Sequence, residues 1–243
     1  MIGDVNYDAE RIPTDGIRSF LAPCNGGDFA PLPGAAVETS NLATRWGARR
    51  GSLSVLDGSA ATELAVSAKM EGKAVVHIAT HGFFATGDCR SALDNGVGYD
   101  PMLLSGLALA GANHAPEPSS TEDGILTASE VATLDLSSTG LVVLSACDTG
   151  LGEIRQGQGV LGLRRAFAIA GARTLVMSLW AVPDDETAHL MDAFYARHLK
   201  RRGVPAAVAL RDAQLEVLGE QRDSGVESPY AWAAFIMAGD WTI

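Results

Sequence analysis

The sequence predicts an α/β fold: a single α/β/α sandwich around a mainly parallel central sheet. Two short, almost uninterrupted apolar runs, residues 74–79 and 141–146, have the length and the Val, Ile and Leu content of strands buried on both faces. Strand-like and helix-like segments alternate along the chain, the order expected of a parallel sheet. Aromatic residues make up only 6% of the chain while Ala and Gly abound, which suits helices lying close against a sheet.

Taken in order, residues 1–6 read as the tail of a strand whose start is missing. Residues 7–33, rich in Gly, Pro and polar side chains, read as loop. The expected organisation is a lead-in over residues 1–31 and one domain over residues 32–243. A helix is expected over 35–46, a short strand over 52–56, and a helix capped by Ser59 and running to about Met70. The first apolar run follows and gives out at Thr80-His81-Gly82. An apolar ribbon, 102–109, lies between loops marked by Gly, Pro and Asp. Thr127 and Glu130 have the spacing of a capping box, opening a short helix before the second run. A helix over 159–170, a strand over 174–179 and a helix over 185–199 come next, the last with Leu190, Met191, Phe194, Tyr195 and Leu199 on one face. Ala206, Ala209, Leu210, Ala213 and Val217 mark another helix, and residues 231–238 a final strand.

Composition narrows the function. At 243 residues, with 47% hydrophobic and 19% charged, the chain has ample material for a core. A net charge of −11 disfavours nucleic acid or an anionic membrane as partner and suits a basic peptide or protein segment. The three cysteines, Cys24, Cys89 and Cys147, form no CxxC pair, which fits a reduced intracellular protein and offers no zinc-ligand cluster. The longest apolar tract, 160–182, is broken by Arg164, Arg165 and Arg173 and is no membrane span. The first residues are too polar for a signal peptide, so the expectation is a soluble, cytoplasmic protein.

The chemistry gathers at two strand ends. The run 141–146 delivers Cys147, followed by Asp148, Thr149, Gly150, Leu151 and Gly152, and the run 74–79 delivers His81 and Gly82. Residues at the carboxyl ends of parallel strands are where α/β folds place reactive groups. A lone cysteine there is more often a small buried hydrophobe. Glycines that open space over the thiol, a charged neighbour and a histidine at the matching end favour a nucleophile with its base. The N–H groups of Gly82 and Cys147 are candidate oxyanion donors. His77, inside its apolar run, reads as a satisfied core histidine, and His114, His189 and His198 have no catalytic neighbours. Residues 157–162 match GxGxxG, but no strand immediately precedes them, so they read as a loop entering a helix.

Two stretches, His77-Ile78-Ala79-Thr80-His81-Gly82-Phe83-Phe84 and Val143-Leu144-Ser145-Ala146-Cys147-Asp148-Thr149-Gly150-Leu151-Gly152, resemble the two signatures of the CHAT family. These are caspase-like peptidase domains often fused to tetratricopeptide repeats. The similarity continues through Asp123-Gly124-Ile125-Leu126-Thr127-Ala128, Gly171-Ala172, Ser178-Leu179-Trp180 and Trp232-Ala233-Ala234-Phe235, in the family's order, from about Leu32 to Asp240. Asp148 stands where many members have Glu, and Gln158 where many have an acidic residue. The resemblance implies a caspase-like sandwich and a cysteine endopeptidase with His81 as base and Cys147 as nucleophile. It implies no metal or organic cofactor, a protein or peptide substrate, and a helical-repeat region or regulatory partner. The alternatives are a catalytically silent interaction module and, more distantly, an enzyme acting on acyl-thioesters. Asp148, and Asp184 in the loop 180–185, are candidate substrate-binding acids for a basic residue before the cut, since the similar loop of the relative separase supplies an acid there. A helix-capping role competes for Asp184 or Asp185.

Overall fold

The computed structural model describes residues 1–10, 28–47, 52–84, 102–114, 122–148, 158–180, 182–199, 204–225 and 228–243, and for residues 84, 146–148 and 158–161 it describes the backbone. In chain order the elements are β1 (Ile2–Val5), α1 (Pro33–Gly47), β2 (Leu56–Gly58), α2 (Glu63–Met70), β3 (Val75–Phe84), β4 (Ser105–Ala108), β5 (Ile125–Thr127), α3 (Ala128–Val131), β6 (Leu141–Asp148), α4 (Gln158–Ile169), β7 (Thr174–Ser178), α5 (Asp184–His198), α6 (Ala206–Asp223) and β8 (Phe235–Gly239).

The strands form one sheet in the order β2-β1-β3-β6-β7-β8. Every pair from β2 to β7 is parallel, and β8 closes the edge antiparallel to β7. A small antiparallel extension, β4 with β5, is attached where Gly82, Phe83 and Phe84 of β3 pair with β4. The α/β caspase-like architecture expected from the sequence is therefore present.

The backbone departs from the expected bounds in places with identifiable causes. β3 does not give out at His81, because β4 supplies ladder partners to the next three residues. β6 likewise continues through Cys147 to Asp148, paired with β3 throughout. The strand expected over 52–56 begins only at Leu56, where β1 offers Ile2 as its partner. Ser59 does not cap α2. Residues 57–60 close a turn through the Ala60 N–H and the Asp57 carbonyl (3.0 Å), and the Thr62 hydroxyl accepts the Ala65 N–H at 3.3 Å instead. The start expected for the last strand, 231–234, is a turn, and β8 begins at Phe235. The capping box at Thr127 forms reciprocally with Glu130.

Alternation along β3 and β6 divides the interior in two. Val76, Ile78, Val142 and Leu144 pack with Leu175 and Met177 beneath α2, α3 and α4, where Phe167 is fully buried. Leu141, Val143 and Val176 face α1, α5 and α6, with Leu42, Leu190, Phe194 and Leu210. Among the described residues no helix is long and apolar enough to cross a membrane.

Candidate active site

Parallel pairing of β3 with β6 runs without a break from Val75↔Leu141 to Gly82↔Asp148, so His81 and Cys147 are direct partners in the ladder. Directly opposed residues of neighbouring strands lie about 5 Å apart at Cα. The two sequence-predicted residues are thus brought together by register alone, at the carboxyl ends of the two central strands. Gly82 is buried and lies between Leu107 of β4 and Asp148 of β6. The glycine-bearing loop after Asp148, residues 149–157, lies outside the described residues, as do Cys24, Cys89 and Ala181 in the loop before α5.

His81 is only 5% exposed. Its ring sits between Tyr7 and Phe29, with centroids 5.3 and 5.4 Å away. Nε2 lies 2.7 Å from the carbonyl oxygen of Ala30. A carbonyl has no proton to give, so Nε2 carries the hydrogen and, in the neutral ring, Nδ1 keeps the lone pair. Burial lowers the His81 pKa, opposed by the Ala30 carbonyl and by the negative charge of Asp184. The neutral, basic form is therefore favoured, as a proton acceptor requires. Tyr7 is tied down beside it: its hydroxyl lies 3.0 Å from that of Thr80, which donates to the Ala108 carbonyl at 2.5 Å. Burial pushes the Tyr7 phenol up to about 12, so it stays protonated and neutral.

Asp184 stands at the first turn of α5, half-buried. Its carboxylate accepts the Gly34 N–H at the start of α1 and is further stabilised by the nearby Ala35 N–H, which itself donates to the Leu32 carbonyl at 3.1 Å. Burial raises the Asp184 pKa, opposed by those two N–H groups and by His81. Capping does occur here, but of a neighbouring helix and not of the helix that Asp184 begins. Asp148 is placed as the ladder partner of Gly82.

Two groups beside the central strands, one on His81 and one on His77 and Ser145, escaped sequence reasoning. The Ala30 acceptor is a backbone carbonyl in a loop, which carries no side-chain signal. Glu38 does carry one: it falls at the position i+3 from Ala35 on the stripe that also holds Thr39 and Leu42, all buried. Glu38 is 2% exposed and reaches both central strands. Ser145 Oγ donates to its Oε2 at 2.8 Å, and Oε1 approaches His77 Nε2 to 2.8 Å. That second approach is too oblique to be a hydrogen bond and acts as an electrostatic contact. His77 Nδ1 meets the Tyr195 hydroxyl at 3.1 Å. His77 is thus a core histidine with partners on α1 and α5. Among the described residues no group of three or more His, Cys, Asp or Glu is arranged to hold a metal ion.

Known proteins share parts of this sequence. Tetratricopeptide repeat protein 28 from Homo sapiens is 35% identical over 115 residues, which is 47% of this chain and 4% of that protein. Its Mus musculus counterpart is 34% identical over the same length and shares. The chain therefore corresponds to a small part of these long relatives. The CHAT domain family matches residues 19–240, from ahead of α1 to the end of β8. With nearly the whole sheet inside that match, the chain belongs to the CHAT domain family, within the caspase-like clan.

Proposed function

We propose that this chain is a cysteine endopeptidase acting through His81 and Cys147. The observation that carries the reading is their direct pairing at the ends of β3 and β6, with His81 held in the tautomer that leaves Nδ1 basic. Nδ1 takes the proton of the Cys147 thiol, and the thiolate attacks a peptide carbonyl carbon. The N–H groups of Gly82 and Cys147 hold the resulting oxyanion. Collapse of this adduct breaks the C–N bond, and the imidazolium gives its proton to the departing amine, leaving a thioester. A water deprotonated by His81 then attacks the thioester, releasing the carboxylate and restoring the thiol. Each step uses groups of this chain alone.

The proposed substrate is a protein segment with a basic residue before the cut, met by Asp148 and Asp184 and favoured by the net charge of −11. The relatives are named for tetratricopeptide repeats. We extend that organisation to this protein, with a helical-repeat module or regulatory partner controlling access to the site in the cytoplasm. A second reading, a catalytically silent interaction module, draws support from the 5% exposure of His81.

Labelling with an iodoacetamide probe separates the two. The peptidase reading expects modification concentrated on Cys147 and lost in His81→Ala. Equal labelling of Cys24, Cys89 and Cys147, indifferent to His81, would leave the silent module standing.

A further inference from the structure

The imidazole of His81 is only as well placed as the Ala30 carbonyl that holds it, and Ala30 belongs to no strand or helix. The segment carrying it is fastened at both ends. On one side Asn113 grips Phe29 by its whole peptide edge: Oδ1 accepts the Phe29 N–H at 2.7 Å, and Nδ2 donates to the Phe29 carbonyl at 3.1 Å. The same Nδ2 donates to Asp8 at 2.9 Å, and the Asn113 N–H donates to the Tyr7 carbonyl at 3.0 Å. This grip is therefore anchored to the chain that follows β1. On the other side the Asp184 carboxylate accepts the Gly34 N–H and is stabilised by the Ala35 N–H, which itself closes the turn onto the Leu32 carbonyl at 3.1 Å. A Cβ at position 34 would lie 2.6 Å from the Asp184 carbonyl oxygen, so the approach admits only glycine. Pro31 and Pro33 lie between the two fastenings and lock φ at two of the intervening residues. The segment between the fastenings therefore has fewer free dihedrals with which to absorb a displacement at either end.

We propose that Asn113 and Asp184 are positioning residues, a two-ended clamp on residues 29–34 that keeps the Ala30 carbonyl on His81 and the imidazole in its Nε2–H tautomer. The catalytic consequence rests on the peptidase reading; the effect on the ring does not. The clamp also gives Asp184 work that needs its oxygens more than its charge. Asparagine at position 184 keeps one acceptor for the start of α1, whereas alanine keeps none.

The test is the His81 tautomer, read from two-bond ¹H–¹⁵N couplings in the 15N-histidine-labelled 243-residue chain, with the buried His77 as internal control for folding. The expected result is a single Nε2–H form in the wild type and in Asp184→Asn. Asp184→Ala and Asn113→Ala should show mixed tautomers at His81 with His77 unchanged. The clamp also predicts alkylation of Cys147 slowed in both alanine variants by up to about 10²-fold, the scale of a misplaced catalytic group. A His81 spectrum unchanged in both alanine variants would overturn the clamp. So would Asp184→Asn behaving like Asp184→Ala, because charge would then be what matters. If the wild-type thiol proves unreactive while the tautomers shift as expected, the peptidase reading fails and the clamp stands. Should Asn113→Ala lose the His77 signal through unfolding, Asp184→Ala and Gly34→Val, which disturb the other end, decide the matter by the same spectrum.

Discussion

The two faces of the sheet solve the same packing problem with different chemistry. Beneath α2–α4, Val76, Ile78, Val142 and Leu144 meet an apolar layer centred on Phe167. One residue further along each central strand, facing α1 and α5, stand His77 and Ser145, joined by Glu38 and by Tyr195. Apolar side chains would fill that space more cheaply, because burying polar and ionisable groups costs several kcal/mol unless each finds a partner. The contrast lies in how each face specifies geometry. Non-directional packing fixes the first face, whereas a Ser145–Glu38 hydrogen bond and a His77–Glu38 electrostatic contact tie α1 to the two strands that carry Cys147 and His81.

The largest expected effects come from breaking either face. Phe167→Ala removes a fully buried ring and should cost about 3–5 kcal/mol in chemical denaturation. Glu38→Ala strips a partner from both His77 and Ser145 and should cost a similar amount, roughly 3–5 kcal/mol. The faces are told apart by reactivity. At temperatures where both variants stay folded, Phe167→Ala should leave the Cys147 alkylation rate near wild type, while Glu38→Ala should lower it. Equal rates in the two variants would mean that the polar face has no special bearing on the site.

A smaller effect concerns pH and sits at the far end of the apolar face. Glu63 is buried and accepts the Gly124 N–H at 2.5 Å. Gly124 adopts a φ of +76°, and a Cβ there would strike the Ala112 backbone at 2.4 Å, so the approach is fixed by the glycine. Burial, helped by Asp123 and Glu130, raises the Glu63 carboxyl from 4.5 to about 9. The folded state thus holds this proton more tightly than the unfolded chain does. Its stabilising contribution is complete below pH 4.5 and is lost as pH rises toward 9. Denaturation midpoints should fall across that window in the wild type and fall less steeply in Glu63→Gln. Parallel profiles for the two proteins would show that Glu63 is not the group responsible.

The smallest effect is expected at the surface. Arg45 grips Asp192 through two contacts of 2.6 Å, linking α1 to α5. Both side chains are about a third exposed, at 38% and 31%, so Arg45→Ala should cost only about 0–1 kcal/mol. A loss comparable to that of Glu38→Ala would mean that α1 is held chiefly from outside.

Much of this arrangement was legible in the residues. Period and composition revealed the parallel strands, because a strand buried on both faces must be apolar nearly throughout. Cys147 and His81 stood out because reactive side chains at strand ends break that pattern. Strand bounds were less legible: His81 and Cys147 lie inside the ladder, since pairing with β4 and between β3 and β6 depends on neighbours distant in sequence. The same non-locality hid the surroundings of His81. Ala30 contributes a carbonyl, Asn113 sits in a stretch that reads as loop, and Asp184 caps a helix that begins 150 residues earlier. Glu38, the partner of His77 and Ser145, was within reach, as a carboxylate on the buried stripe of a helix.

Whether His81 and Cys147 form a working peptidase pair is decided by exposing a peptide library side by side to the wild type, Cys147→Ala and His81→Ala. A working pair should give cleavage by the wild type, enriched after Arg or Lys, no cleavage by Cys147→Ala, and a loss of at least about 10²-fold in His81→Ala. Cleavage by Cys147→Ala at the wild-type rate, or a wild type that alkylates at Cys147 yet cuts no peptide, would contradict it.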